Sequence, residues 1–181
     1  ACLVGSEMCI RDSLNGPGLL YNYDLTAYAP QIMQNMVDAQ HSNGAMPTTA
    51  PEYVIFEGPG MDAFAESPEW GGSLVIFPFM YYETYGDDSL IKKYYPNMRR
   101  YVDYLKTRAD KGILSFGLGD WYDYGDFRAG FSRNTPVPLV ATAHYYMTVM
   151  YLVQAAKMVG NDFDTRYSVS YTHLRAHETC A

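Results

Sequence analysis

Residues Gly117–Gly125 read GLGDWYDYG, which sets two carboxylates (Asp120 and Asp123), a tryptophan and two tyrosines between glycines. The glycines free the backbone to turn, so the stretch predicts a loop. Solvent loops seldom carry rings such as Trp121, Tyr122 and Tyr124, and two readings fit. An indole can stack on the apolar face of a pyranose while carboxylate oxygens accept hydrogen bonds from its hydroxyls. Equally, the aspartates can cap a helix and the rings can be core. A similar cluster upstream, Ser67–Gly71 (SPEWG), again sets a tryptophan between an acid and a glycine, and it favours a site.

The segments on either side of this loop decide the fold. Upstream, Leu90, Ile91, Tyr94, Met98, Tyr101, Val102 and Leu105 recur at helical spacing, opened by Asp87 or Asp88. Lys92, Lys93, Arg99, Arg100, Asp103 and Lys106 form the solvated side. Pro96 lies inside the pattern and predicts a break, or a short helix before it. Downstream, after a glycine-containing connector from Phe127 to Arg133, a helix is predicted from about Thr135 to Val159. Asn134 and Thr135 are its caps, Pro136 lies in its first turn and Gly160 follows its end.

Further out, Leu25, Tyr28, Ile32, Met36 and Val37 predict a helix over Asp24–His41, with Asp24 as N-cap and Asn43-Gly44 as stop. An irregular, proline-containing stretch from Ala45 to Ser67 follows, of a length that is usually functional. Ser67 then caps a helix begun by Pro68 and Glu69, carrying Leu74, Phe77, Tyr81 and Tyr85 to Gly86, with a kink at Pro78. No alternating strand pattern of any length is present. Long helix, irregular loop, long helix predicts an all-α fold of helical hairpins with long loops. Hairpins with site residues at one end describe an α/α toroid; a plain helical bundle gives the same pattern.

Composition narrows the partners. The 181 residues are 48% hydrophobic and 18% charged, enough for one domain with a core, and the formal net charge is −7 with no basic run. Nucleic acid and anionic membranes are poor partners for such a surface, and no apolar stretch approaches a bilayer span. The aromatic content of 15% suits a carbohydrate-facing surface, although core packing explains much of it. Cys2, Cys9 and Cys180 all lie in the terminal segments, where they define neither a disulfide framework nor a metal site. No metal or other cofactor is indicated.

Both termini are out of character. Ala1–Ser13 (ACLVGSEMCIRDS) and Val169–Ala181 (VSYTHLRAHETCA) carry no structural period and resemble translated sequencing-adapter sequence. Setting them aside predicts an authentic chain from Leu14 to about Ser168, a piece of something larger, with a further helix starting near Phe163.

The chain resembles bacterial α-L-rhamnosidases of glycoside hydrolase family 78. The resemblance is carried by NGAMPTTAPEY (Asn43–Tyr53), SPEWGGSLV (Ser67–Val75), YYPNMRRYVDYL (Tyr94–Leu105), GLGDWYDYG (Gly117–Gly125) and NTPVPLVATAHYY (Asn134–Tyr146), in that order. It implies a partial (α/α)6 barrel and a rhamnose-containing carbohydrate as substrate. It also implies a periplasmic or secreted protein, with further parts of the catalytic domain and β-sandwich domains outside this chain. The family inverts the anomeric centre with a general-acid and a general-base glutamate, whose carboxyls must stand about 6.5–9.5 Å apart to admit a water. The resemblance places the acid just before Leu14 and the base beyond Ser168, so no residue here is assigned as catalytic and the chain alone is expected to be inactive. Another α/α-toroid glycosidase or lyase, or a non-catalytic sugar-binding protein, would share the helical pattern.

By position, the resemblance makes Trp70 and Trp121 sugar-stacking residues. Asp120, Asp123 and Glu69 are expected to accept hydrogen bonds from sugar hydroxyls, or to serve as caps and local ion pairs. Glu52 with Tyr53 is a weaker candidate pair. His144 reads as a satisfied core histidine, and His41 as a favourable charge near a helix C-terminus.

Overall fold

The computed structural model describes residues 16–161. Residues 16–22 are helical (α1), and α2 (Ala29–Ala39), α3 (Asp62–Ala65), α4 (Pro68–Gly71), α5 (Ser73–Tyr85), α6 (Ser89–Arg108) and α7 (Val137–Met158) follow. A two-stranded antiparallel hairpin, β1 (Asp123–Gly125) and β2 (Phe127–Gly130), lies in the α6–α7 connection. The adapter-like strings, the three cysteines and the helix expected near Phe163 fall outside the described residues.

The burial patterns sort the helices into two kinds. α6 buries Leu90, Ile91, Tyr94, Met98, Tyr101 and Leu105 along one side and exposes Lys92, Lys93, Arg100 and Lys106 on the other. α2 likewise buries Ala29, Ile32, Met33 and Met36 and exposes Gln31 and Asp38. By contrast, α5 buries every residue from Ser73 to Phe79, which spans all sides of the helix. A helix apolar on all sides has to lie inside. It does so, packed against α2, α6 and α7. α5 and α6 form the expected helical hairpin, turned at Gly86 in the left-handed conformation (φ 71°).

Several helix ends differ from expectation. α2 begins at Ala29 with Pro30 in its first turn, while the Asp24 carboxylate accepts from the Thr26 N–H and hydroxyl in a local turn rather than capping the helix. α6 is not broken at Pro96: it runs unbroken from Ser89 to Arg108, and α5 likewise runs through Pro78. Burial of the stripes on both sides of each proline outweighs the loss of one backbone hydrogen bond. The caps expected of Asn134 and Thr135 do not form, because α7 starts two residues later, at Val137, with Pro136 at the N-cap. The hairpin strands, three and four residues long, are too short for alternation to show in the sequence.

The connectivity brings the two long loops together. The α2–α4 connection and the α6–α7 connection leave and enter at one end of the array, joined by hydrogen bonds from Leu118 and Gly119 to Ser67 and Glu69. The opposite end is closed by Tyr85, whose hydroxyl donates to the Tyr23 carbonyl and accepts from the Leu25 N–H. At the loop end α4 lies directly on α6: a Cβ on Gly71 would stand 2.5 Å from the Tyr101 hydroxyl. Tyr101 is fully buried and has nowhere to move. Gly71→Ala is therefore expected to destabilise the fold by roughly 1–3 kcal/mol, read as a shift in urea midpoint at constant m-value.

Candidate functional site

Three segments meet at the loop end: the irregular residues 45–67, the short helix α4, and the 110–136 connection. Residues 45–50 are buried throughout, whereas residues 51–55 are exposed. The first stretch is tied down by Thr48, whose N–H donates to the Ala65 carbonyl and whose hydroxyl donates to that of Phe64. Phe64 is thereby placed under the second loop, where its ring meets Trp121 edge-on at 5.2 Å between centroids. Phe131 completes the group, 5.4 Å from both Phe64 and Trp121. Trp121 thus stands half-buried on an aromatic footing, with Tyr122 and Tyr124 exposed around it.

The five sequence candidates all come to this end of the molecule, in different circumstances. Trp70 is half-buried on α4, and Asp120 is exposed beside Trp121 with its carboxylate free of hydrogen-bond partners among the described residues. Glu69 is buried. One of its oxygens accepts from the Ser67 hydroxyl and the other from the Gly119 N–H at 3.1 Å. Burial raises its pKa above the ordinary value, and these hydrogen bonds oppose the rise. The side chain of Ser67 therefore does not cap α4; its oxygen accepts from the Leu118 N–H at 3.0 Å instead.

Asp123 is also buried and holds the far side of the loop. Its Oδ2 accepts the N–H groups of Arg133 and Asn134, both at 2.7 Å, and its Oδ1 accepts the Asn134 side-chain amide. These donors lower its pKa. Asn134, expected as a helix cap, is instead part of this knot.

Other polar groups line the same end. The Tyr104 hydroxyl donates to Glu66 at 2.6 Å, and Arg108 donates to Glu66 at 3.0 Å and to the Tyr104 oxygen. Burial and the Glu66 carboxylate push the Tyr104 phenol up to about 12. The second Glu66 oxygen and the Thr49 hydroxyl are buried without a partner. His41 lies just past the C-terminal end of α2 and pairs with Glu52 at 3.2 Å. The expectation for His144 fails: it is half-buried with Nδ1 unpartnered, and burial lowers its pKa.

Sequence reasoning missed Phe64, Phe131 and the Ser67–Glu69–Gly119 connection. Only the spacing of Gly117 and Gly119 hinted at the last of these. Both have positive φ (114° and 66°), and a Cβ on Gly117 would lie 2.7 Å from a Glu69 oxygen.

Helices whose long connections gather aromatic side chains and acids at one end are the arrangement expected of part of an α/α toroid. Residues 12–177 match the bacterial alpha-L-rhamnosidase six-hairpin glycosidase domain, and the chain belongs to that family. It is 27% identical over 150 residues to an alpha-L-rhamnosidase of Formosa agariphila, a match covering 79% of this chain and 16% of that protein. With an alpha-L-rhamnosidase of Streptomyces avermitilis it shares 27% over 161 residues, or 88% of this chain and 14% of the relative. The chain thus spans about one-sixth of the length of the curated relatives it matches.

Solved structures agree on the fold. The alpha-L-rhamnosidase of Dictyoglumus thermophilum superposes with a TM-score of 0.80 at 24% identity, covering 93% of this chain and 18% of that one. The Streptomyces avermitilis enzyme complexed with L-rhamnose gives 0.77 at 22% identity, covering 97% of this chain and 15% of that one. The helical array is accordingly part of an α/α toroid, as the family resemblance implied and the helical pattern, which also suited a plain bundle, allowed.

The Asp123 knot carries a pH signature. Its folded-state pKa lies below the ordinary 3.8, so the ionised carboxylate contributes stability above that pH, and this is lost as pH falls through the lowered value. Asp123→Asn should flatten the acid limb of a stability-versus-pH curve below about pH 4, as measured by urea unfolding at stepped pH.

Proposed function

We propose that this chain supplies part of the sugar pocket of an α-L-rhamnosidase, a glycoside hydrolase that removes terminal α-L-rhamnose from glycans or glycosides. The observation that carries the reading is the convergence of both tryptophan loops at one end of a six-hairpin glycosidase fold. Rhamnose is a 6-deoxy sugar, so its methyl and ring C–H groups offer an apolar face to Trp70 and Trp121, and its hydroxyls suit an acceptor such as Asp120.

Glu69 and Asp123 serve the frame, because the fold already engages their oxygens. The two catalytic carboxylates of an inverting hydrolysis lie outside this chain, which assigns no residue of its own to that role. In this reading the natural protein is periplasmic or secreted, and the remaining toroid hairpins and β-sandwich domains complete it. Among the described residues no helix is long and apolar enough to cross a membrane.

The test is an assay of the complete reading frame's product on p-nitrophenyl α-L-rhamnoside. Nitrophenol release is expected, with kcat/KM lowered about tenfold or more by Trp121→Ala and by Trp70→Ala, since each removes a stacking surface. No release from a folded, complete product would overturn the rhamnoside assignment and leave the toroid for another sugar.

A further inference from the structure

We infer that Glu69 is a positioning residue, a buried carboxylate clasp that fixes the Trp121 loop onto α4 and so sets the stance of the two tryptophans. The inference rests on the sugar-site reading above and adds the element that holds the site's two halves in register.

Glu69 is only 6% exposed, and no cation pairs with it among the described residues. A buried carboxylate is costly unless hydrogen bonds satisfy it. Besides its own backbone N–H, its partners are the neutral Ser67 hydroxyl on its own turn and the Gly119 N–H of the facing loop. Ser67 extends the connection by accepting from the Leu118 N–H at 3.0 Å. Two successive backbone donors of one loop are thus held by two side chains of one short helical turn.

Sterics tighten the same joint. A Cβ on Gly117 would lie within 2.9 Å of Pro68, Ser67 and Glu69 atoms, so the loop backbone is seated directly against this turn. Asp120 and Trp121 follow immediately after Gly119, while Trp70 follows Glu69 on the other side. One carboxylate therefore stands one residue from the first tryptophan and bonds two residues before the second. With both oxygens turned inward, its effect on a bound sugar passes through Trp121 and Trp70.

The two tryptophans are the only ones in the sequence, which makes fluorescence selective. In a Trp70→Phe background the emission reports Trp121 alone. Adding Glu69→Ala is expected to raise acrylamide quenching of Trp121 with unchanged far-UV circular dichroism. In the otherwise native chain the same change should weaken L-rhamnose binding about tenfold, the cost of losing charge-assisted hydrogen bonds. Glu69→Gln keeps an acceptor for Gly119 and should restore most of the protection of Trp121.

Lost affinity with unchanged quenching would overturn the proposal and make Glu69 a direct sugar ligand. Unchanged quenching and affinity would also overturn it. If Glu69→Ala unfolds, Ser67→Ala takes its place: it removes the Leu118 acceptor, and unchanged Trp121 quenching there sinks the clasp. A native chain that gives no response to L-rhamnose would count against the sugar-site reading, while the quenching comparison would still decide the clasp.

Discussion

The fold turns on the burial of α5. A helix with Leu74, Val75, Ile76 and Phe77 in succession has no side to offer water, so it must be enclosed by other helices. Burying each such side chain contributes roughly 2 kcal/mol, and no two-helix arrangement can enclose all of them. Amphipathic α2 and α6 cover it from outside, and α7 packs beside it. That alternation of enclosed and half-exposed helices is what a ring of hairpins requires. It also forces long connections at one end, since the turn at Gly86 already closes the other end of the α5–α6 pair.

Those long connections form a polar and aromatic layer over the helical core. Buried backbone without regular structure needs side-chain partners for its N–H and C=O groups, and the acids supply them. Glu69 and Asp123 each neutralise loop donors, Glu69 from α4 to the 117–119 turn and Asp123 from the hairpin to residues 133–134. Between these two anchor points stands Trp121, braced by Phe64 and Phe131. A binding surface made of large planar rings is useful only if the rings are held in place, and here acids and aromatics hold the frame on which Trp121 and Asp120 are presented.

The opposite pKa directions of the two buried acids follow from the same geometry. Both lie under the loop, yet Asp123 is lowered because the Arg133 and Asn134 N–H groups outweigh its burial, whereas Glu69 is raised because burial outweighs its hydrogen bonds. Tyr104 shows the converse case, where a neighbouring carboxylate and burial together hold a phenol protonated.

The sequence by itself determined the helical class, the helix order, the end at which the loops gather and the family. These depend on local periodicity and on motifs that survive in linear order: the apolar stripe of α6, the Gly86 stop, SPEWG and GLGDWYDYG. It misjudged Pro96, Asn134 and His144, because whether a helix continues, a cap forms or a ring nitrogen is satisfied depends on neighbours distant in sequence. Only the tertiary structure decided what each acid does. In the linear chain Glu69, Asp120 and Asp123 are equivalent carboxylates beside aromatic rings. Once folded, two of them meet backbone donors some ten to fifty positions away and are taken inward, and the third is left in solvent. A hydrogen bond of that range leaves no period in the sequence, so its partner becomes visible only when the loops are brought together.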